Sequence, residues 1–136
     1  MSIDDLIDDF SFLDNWEDKY KYLIELGNSL PRFNDDQKKD EWKVPGCQSQ
    51  VWIIPTFSDN RVTFIGDSDA IIVRGIIAVV LEIFKDKTAQ EILSIDVEKI
   101  FDTIGLREHI TSNRRSGMLS MVDKIKYYAN LADKDT

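Results

Sequence analysis

The chain has 136 residues, 43% of them hydrophobic, with 17 Lys and Arg against 25 Asp and Glu for a formal charge of -8. That size fits one globular domain over 1–136, and that charge disfavours nucleic acid and anionic membrane surfaces as partners. One cysteine, Cys47, excludes an intramolecular disulfide, a CxxC pair and a metal site built mainly from the chain's own thiolates, and one histidine, His109, excludes multi-histidine sites.

The opening Met1-Ser-Ile-Asp-Asp has neither the basic nor the apolar region of a secretory leader. Ser2 with Asp5 has capping-box spacing, and Ile3, Leu6, Ile7 and Phe10 then recur as in a short first helix. Asp14 or Asn15 is positioned to cap a second helix carrying Trp16, Tyr20, Leu23, Ile24 and Gly27 on one stripe, with Pro31 marking its end. Residues 34–43 are polar apart from Trp42, and Val44-Pro-Gly-Cys-Gln-Ser has strong turn chemistry, which places Cys47 on a loop.

Residues 50–57 and 61–65, separated by Ser58-Asp-Asn, predict a β-hairpin, in which Pro55 belongs at an edge or a bulge because it donates no ladder hydrogen bond. Gly66-Asp-Ser-Asp then offers caps for residues 70–84, of which 12 of 15 are Ala, Ile, Val, Leu or Phe. We read a buried central helix. It contains Arg74 and Glu82 and is too short to cross a bilayer, so the expectation is a soluble, cytoplasmic protein. Thr88 with Glu91 makes a second capping box, and Gly105 closes the helical stretch after Asp96. A last helix from about Thr111 to Ala132 aligns Met118, Met121, Val122, Ile125, Tyr128, Ala129 and Ala132. The expected fold class is α+β, with helices packed on one face of a small antiparallel sheet.

Cys47, between Gly46 and Gln48, has two readings: a small buried apolar residue, or an accessible thiol whose neighbour lacks a Cβ that would hinder another molecule's approach. Lys43 is the only cation within five residues, so local sequence does little to lower the thiol's pKa. His109, with Asn113 or a nearby carboxylate as orienter, permits a cysteine hydrolase, although no hydrolase signature surrounds Cys47. Asp67, Ser68 and Asp69 are accounted for as helix caps. Arg114 and Arg115 are not, because cations in a helix's first turn oppose its dipole at a cost of a few tenths of a kcal/mol, roughly. Either serves a carboxylate of this domain or an acidic or anionic sulfur-bearing partner.

The segment Val44-Pro-Gly-Cys-Gln-Ser-Gln-Val-Trp resembles the active-site loop of the SufE family, the sulfur acceptors of iron-sulfur cluster assembly. Trp16-Glu-Asp-Lys-Tyr, Ile24-Glu-Leu-Gly and Leu30-Pro resemble that family's N-terminal helix. Gly66-Asp-Ser-Asp-Ala with Ile72-Val-Arg-Gly-Ile-Ile-Ala-Val-Val resembles its central helix, and Gly105-Leu, His109-Ile-Thr, Asn113-Arg and Gly117-Met its C-terminal region. The order and spacing hold over about residues 10–130. One departure is Ser112, where a proline is common in the family.

The resemblance implies a SufE/IscU-like fold and a sulfur-transfer partner rather than a stand-alone enzyme. Cys47 matches the cysteine that accepts a persulfide sulfur from a pyridoxal-phosphate cysteine desulfurase, SufS-like or a paralogue, for delivery to an iron-sulfur scaffold such as a SufBCD-like complex. It implies no cofactor in this chain, the pyridoxal phosphate belonging to the desulfurase. Asp69 matches an aspartate near the cysteine loop and Arg114 an arginine of the desulfurase interface. The loop is expected to tuck its sulfur inward and swing out on docking, with Gly46 as one hinge and Gln48 and Ser49 fixing the loop by hydrogen bonds. The rival from another class is a docking module that regulates a desulfurase without carrying sulfur.

Overall fold

The computed structural model describes residues 2–59, 61–107 and 110–134. Ser2 and Asp5 form the expected capping box and start α1 (Ile3–Ser11), which buries Leu6 and Phe10. Of the two candidate caps for α2 (Trp16–Asn28), Asn15 is the one used: its side chain accepts from the Asp18 N–H. The two helices are tied by the Tyr22 hydroxyl donating to Asp9 at 2.5 Å and by the Phe10 and Tyr22 rings, 5.0 Å apart.

The hairpin pairs β1 (Val51–Ser58) with β2 (Arg61–Ser68) from Val51↔Ser68 to Ser58↔Arg61. In a two-stranded sheet each strand has an open edge, which is how Pro55 is accommodated opposite Phe64. Gly66, Asp67 and Ser68 continue β2 rather than capping the next helix, which corrects the expectation for Asp67. That carboxylate is 2% exposed and accepts from Arg74 Nε at 2.8 Å and from the backbone N–H groups of Phe33 and Ser68. Arg74 also donates from Nη2 to the Leu30 carbonyl, so one buried ion pair fastens the segment after α2 to the hairpin and the central helix. The physical reason is plain: a guanidinium 3% exposed on an apolar helix needs a counter-charge, and a capping carboxylate in solvent would not supply it.

Central helix α3 (Ile71–Phe84) is buried over most of its surface, as its composition predicts, but its N-cap is Ala70 and it has no side-chain cap. Contrary to expectation, Ser68 Oγ accepts from Ala70 N–H, just ahead of the helix, and the Asp69 carboxylate accepts from Gln50 N–H. It crosses α2 at close range, since a Cβ built on Gly75 would collide with the Leu23 carbonyl oxygen. Thr88 and Glu91 cap α4 (Ala89–Ser94), Asp96 caps α5 (Val97–Thr103), and Gly105 turns the chain at φ +78°. In α6 (Ser112–Lys134) all seven members of the expected stripe are buried. The hydrophobic cluster runs from Leu6 to Ala132 through these helices and the hairpin, an α+β arrangement. The sheet face opposite α3 is not bare at its base. Phe33 is buried and Lys38 Nζ lies 5.7 Å from the centre of the Trp52 ring, so the polar 33–43 segment covers that end.

Candidate functional site

The loop 44–50 is pinched at its base by Val44 N–H donating to the Val51 carbonyl at 2.8 Å and by a bridge pairing Lys43 with Trp52. Asp69 holds its far end, accepting from Gln50 N–H at 3.0 Å through Oδ1 while its own N–H donates to the Gln50 carbonyl at 3.3 Å. Between these ties Gly46 adopts φ +82°, a left-handed conformation that L side chains rarely take. A Cβ there would stand 3.0 Å from Ser120 Oγ of α6, so the glycine serves the loop's own path against this chain as much as any incoming molecule.

Cys47 is half-buried, and its thiol donates to the Gly117 carbonyl oxygen of α6 at 3.6 Å. Burial pushes the thiol's pKa up from its ordinary value, so in this position the sulfur is protonated at neutral pH. It borders a cavity of about 280 Å³ between the cysteine loop, α3 and the start of α6. The buried side of that cavity is apolar, made by Val51, Ile72, Ile76, Met118 and Met121. Gln48, Ser49, Thr111, Asn113 and Arg114 supply the polar side.

The two arginines of the first turn of α6 divide the two readings between them. Arg115 donates from Nε to Glu98 at 2.7 Å and from Nη2 to the same oxygen, serving a carboxylate of this domain. Arg114 is half-buried, lines the cavity with Cys47, and has no ion pair among the described residues. Thus Gly46, Cys47, Gln48, Ser49, Asp69 and Arg114 lie on or beside one cavity and its loop, with Asp69 acting through the Gln50 backbone. Among the described residues neither Gln48 nor Ser49 makes a side-chain hydrogen bond; the loop is held by backbone groups, Asp69 and the Cys47 thiol. His109 lies outside the described residues, and Asn113, its suggested orienter, is exposed.

Sequence reasoning missed Gly117. A Cβ there would meet Cys47 Sγ at 3.3 Å. The available signal was a glycine inside a helix, where it costs about 1 kcal/mol relative to alanine and calls for a packing reason.

Residues 4–129 match the model of a protein family described as "SufE: Fe-S metabolism associated domain". The chain belongs to the SufE family. An uncharacterised SufE-like protein of Rhizobium meliloti (strain 1021) is 50% identical over 129 residues, covering 92% of each chain. Another, of Rhizobium etli, is 46% identical over 134 residues, covering 96% of this chain and 90% of the relative. The SufE fold here also matches a solution structure of a hypothetical protein from Thermus thermophilus, with a TM-score of 0.76 over 97% of this chain and 98% of that one, at 16% identity. Membership in the SufE family places the protein in iron-sulfur biogenesis and implies a cysteine desulfurase as partner. No helix among the described residues is long and apolar enough to cross a membrane.

Proposed function

We propose that this SufE protein accepts sulfane sulfur on Cys47 from a pyridoxal-phosphate cysteine desulfurase, SufS-like or a paralogue, relieves that enzyme of its product, and hands the sulfur to a SufBCD-like scaffold. The observation that carries the reading is the lone thiol at the edge of an apolar cavity, on a loop whose ties are few, with Arg114 on the same cavity. In the step itself the Cys47 thiolate attacks the outer sulfur of the desulfurase's cysteine persulfide. A new S–S bond forms at Cys47, the old one breaks, and the desulfurase cysteine leaves as a thiolate, so one sulfur atom moves and no external oxidant or reductant is consumed.

The seated thiol is poorly suited to attack, because burial favours its protonated form and the helix blocks one side. Presentation of the loop to solvent or to the partner therefore precedes transfer, with Gly46 as a pivot and Asp69 as the fixed end. Return of the loaded sulfur to the apolar cavity shelters it from small thiols. A chain with one cysteine suits this role, since a second thiol nearby would resolve the persulfide to a disulfide.

Intact-protein mass spectrometry tests the proposal, with wild type and Cys47→Ser incubated with a desulfurase, pyridoxal phosphate and cysteine. The expected result is a reductant-labile gain of one or more sulfur atoms on wild type alone. Absence of that gain from a charged desulfurase, together with undiminished stimulation by Cys47→Ser, would establish the regulatory docking module in place of the carrier.

A further inference from the structure

We infer that Gly117 is a positioning residue that sets how firmly Cys47 is sheltered. Gly117 is buried inside α6, and the three atoms nearest to a Cβ built on it are Cys47 Sγ at 3.3 Å, Cys47 Cβ at 3.8 Å and Cys47 Cα at 3.9 Å. The space its missing side chain leaves is thus filled by Cys47. The same residue's carbonyl oxygen accepts the thiol proton, so helix residue 117 supplies both the recess and the polar contact at its edge. One turn further along the same face, Ser120 Oγ stands 3.0 Å from where Gly46 would carry a Cβ, which extends the close fit to the neighbouring loop residue.

A carbon and a sulfur at 3.3 Å are inside ordinary contact distance, so an alanine at 117 forces one partner to give way. Helix α6 is the stiffer one, anchored by Met118, Met121, Val122 and Ile125 in the core, whereas the loop's ties among the described residues are the hydrogen bonds at Val44, Gln50 and Cys47 and the Lys43–Trp52 bridge at its base. The loop therefore moves, and the balance shifts toward the presented thiol. The substitution otherwise suits the helix, where alanine is preferred to glycine. Release of Cys47 and loss of the fold are consequently expected to part company, which a merely structural role for Gly117 does not predict. The functional consequence, a persulfide that is delivered and lost more readily, rests on the sulfur-acceptor reading. The geometric claim does not.

The test is the iodoacetamide alkylation rate of Cys47 in wild type, Gly117→Ala and Gly117→Val, alongside hydrogen exchange of the α3 amides. Because alkylation tracks the presented fraction of the loop, the rate is expected to rise at least about threefold in Gly117→Ala and further in Gly117→Val, with α3 protection unchanged. Smaller rises in both variants overturn the inference, as does acceleration matched by an equal loss of α3 protection. No desulfurase is present, so failure here leaves the carrier proposal standing, and failure of sulfur loading leaves this result intact.

Discussion

Under the proposed sulfur-acceptor role, a thiol that is protonated when seated has to become a nucleophile, and that is the central tension at the residue scale. The pKa of Cys47 is raised in the seated loop by burial, and a presented loop returns the thiol to ordinary solvation. A group whose pKa is higher in the closed state than in the open one favours closure below the open-state value, and that contribution is lost as pH rises through the closed-state value. Mildly alkaline conditions, above the ordinary thiol range of roughly 8 to 9, therefore weaken the seat. We expect the pH profile of Cys47 alkylation to have its midpoint above that of the same chain unfolded in urea; coincident midpoints would show that the environment of Cys47 does not hold its proton. Gly46 and Asp69 belong to the same account, one giving the loop its left-handed turn and the other fixing its far end. A Cys47→Ser protein keeps both features, which makes it a clean loading control.

Among the elements, α3 is the organiser. Its apolar run is what any reader of the sequence would bury, yet the helix is placed by two things the run does not announce. One is the contact at Gly75, where α2 comes so near that a Cβ would collide with the Leu23 backbone. The other is Arg74, which reaches Asp67 and Leu30 and so locks α3 to the hairpin and to the chain after α2. Asp69 lies two residues past Asp67, which makes that lock part of the scaffold under the cysteine loop. Replacing Arg74 by methionine leaves the Asp67 carboxylate buried without its cation and is expected to cost about 3–5 kcal/mol. A chemical denaturation midpoint that stays at the wild-type value would show the pair to be dispensable. The hairpin illustrates how an element's end can be misjudged: Gly66, Asp67 and Ser68 have turn and capping character, but pairing with Ile53, Trp52 and Val51 draws them into β2.

For the molecule as a whole, charge is unevenly spread. Residues 1–68 carry 14 acids and 7 bases, and residues 69–136 carry 11 acids and 10 bases, so the second half is nearly neutral. Arg114 therefore offers a cation on the cysteine cavity of an otherwise acidic protein, a suitable handle for an acidic group on a docking desulfurase. Arg114→Glu is expected to weaken desulfurase binding by about tenfold or more with the melting temperature unchanged. Its neighbour gives the contrast: Arg115→Ala removes the partly exposed contact to Glu98, lowers stability by less than about 1 kcal/mol, and leaves binding alone. Calorimetric titration and thermal melts on the two variants separate the roles, and equal binding by both would remove Arg114 from the interface. The local order of the chain was legible in sequence because it depends on near neighbours: capping boxes at Ser2 and Thr88, turn residues around Cys47, and the helical stripe of α6 each operate within a few positions. The cysteine loop and the segments around it were legible as a family pattern for the same reason. Contacts between distant positions carry no such periodic mark. That Asp67 faces Arg74 rather than solvent, that Arg115 meets Glu98 while Arg114 lines the cavity, and that a glycine 70 positions away makes room for Cys47 were decided only when packing brought those side chains together, because burial and electrostatic pairing depend on distance in space.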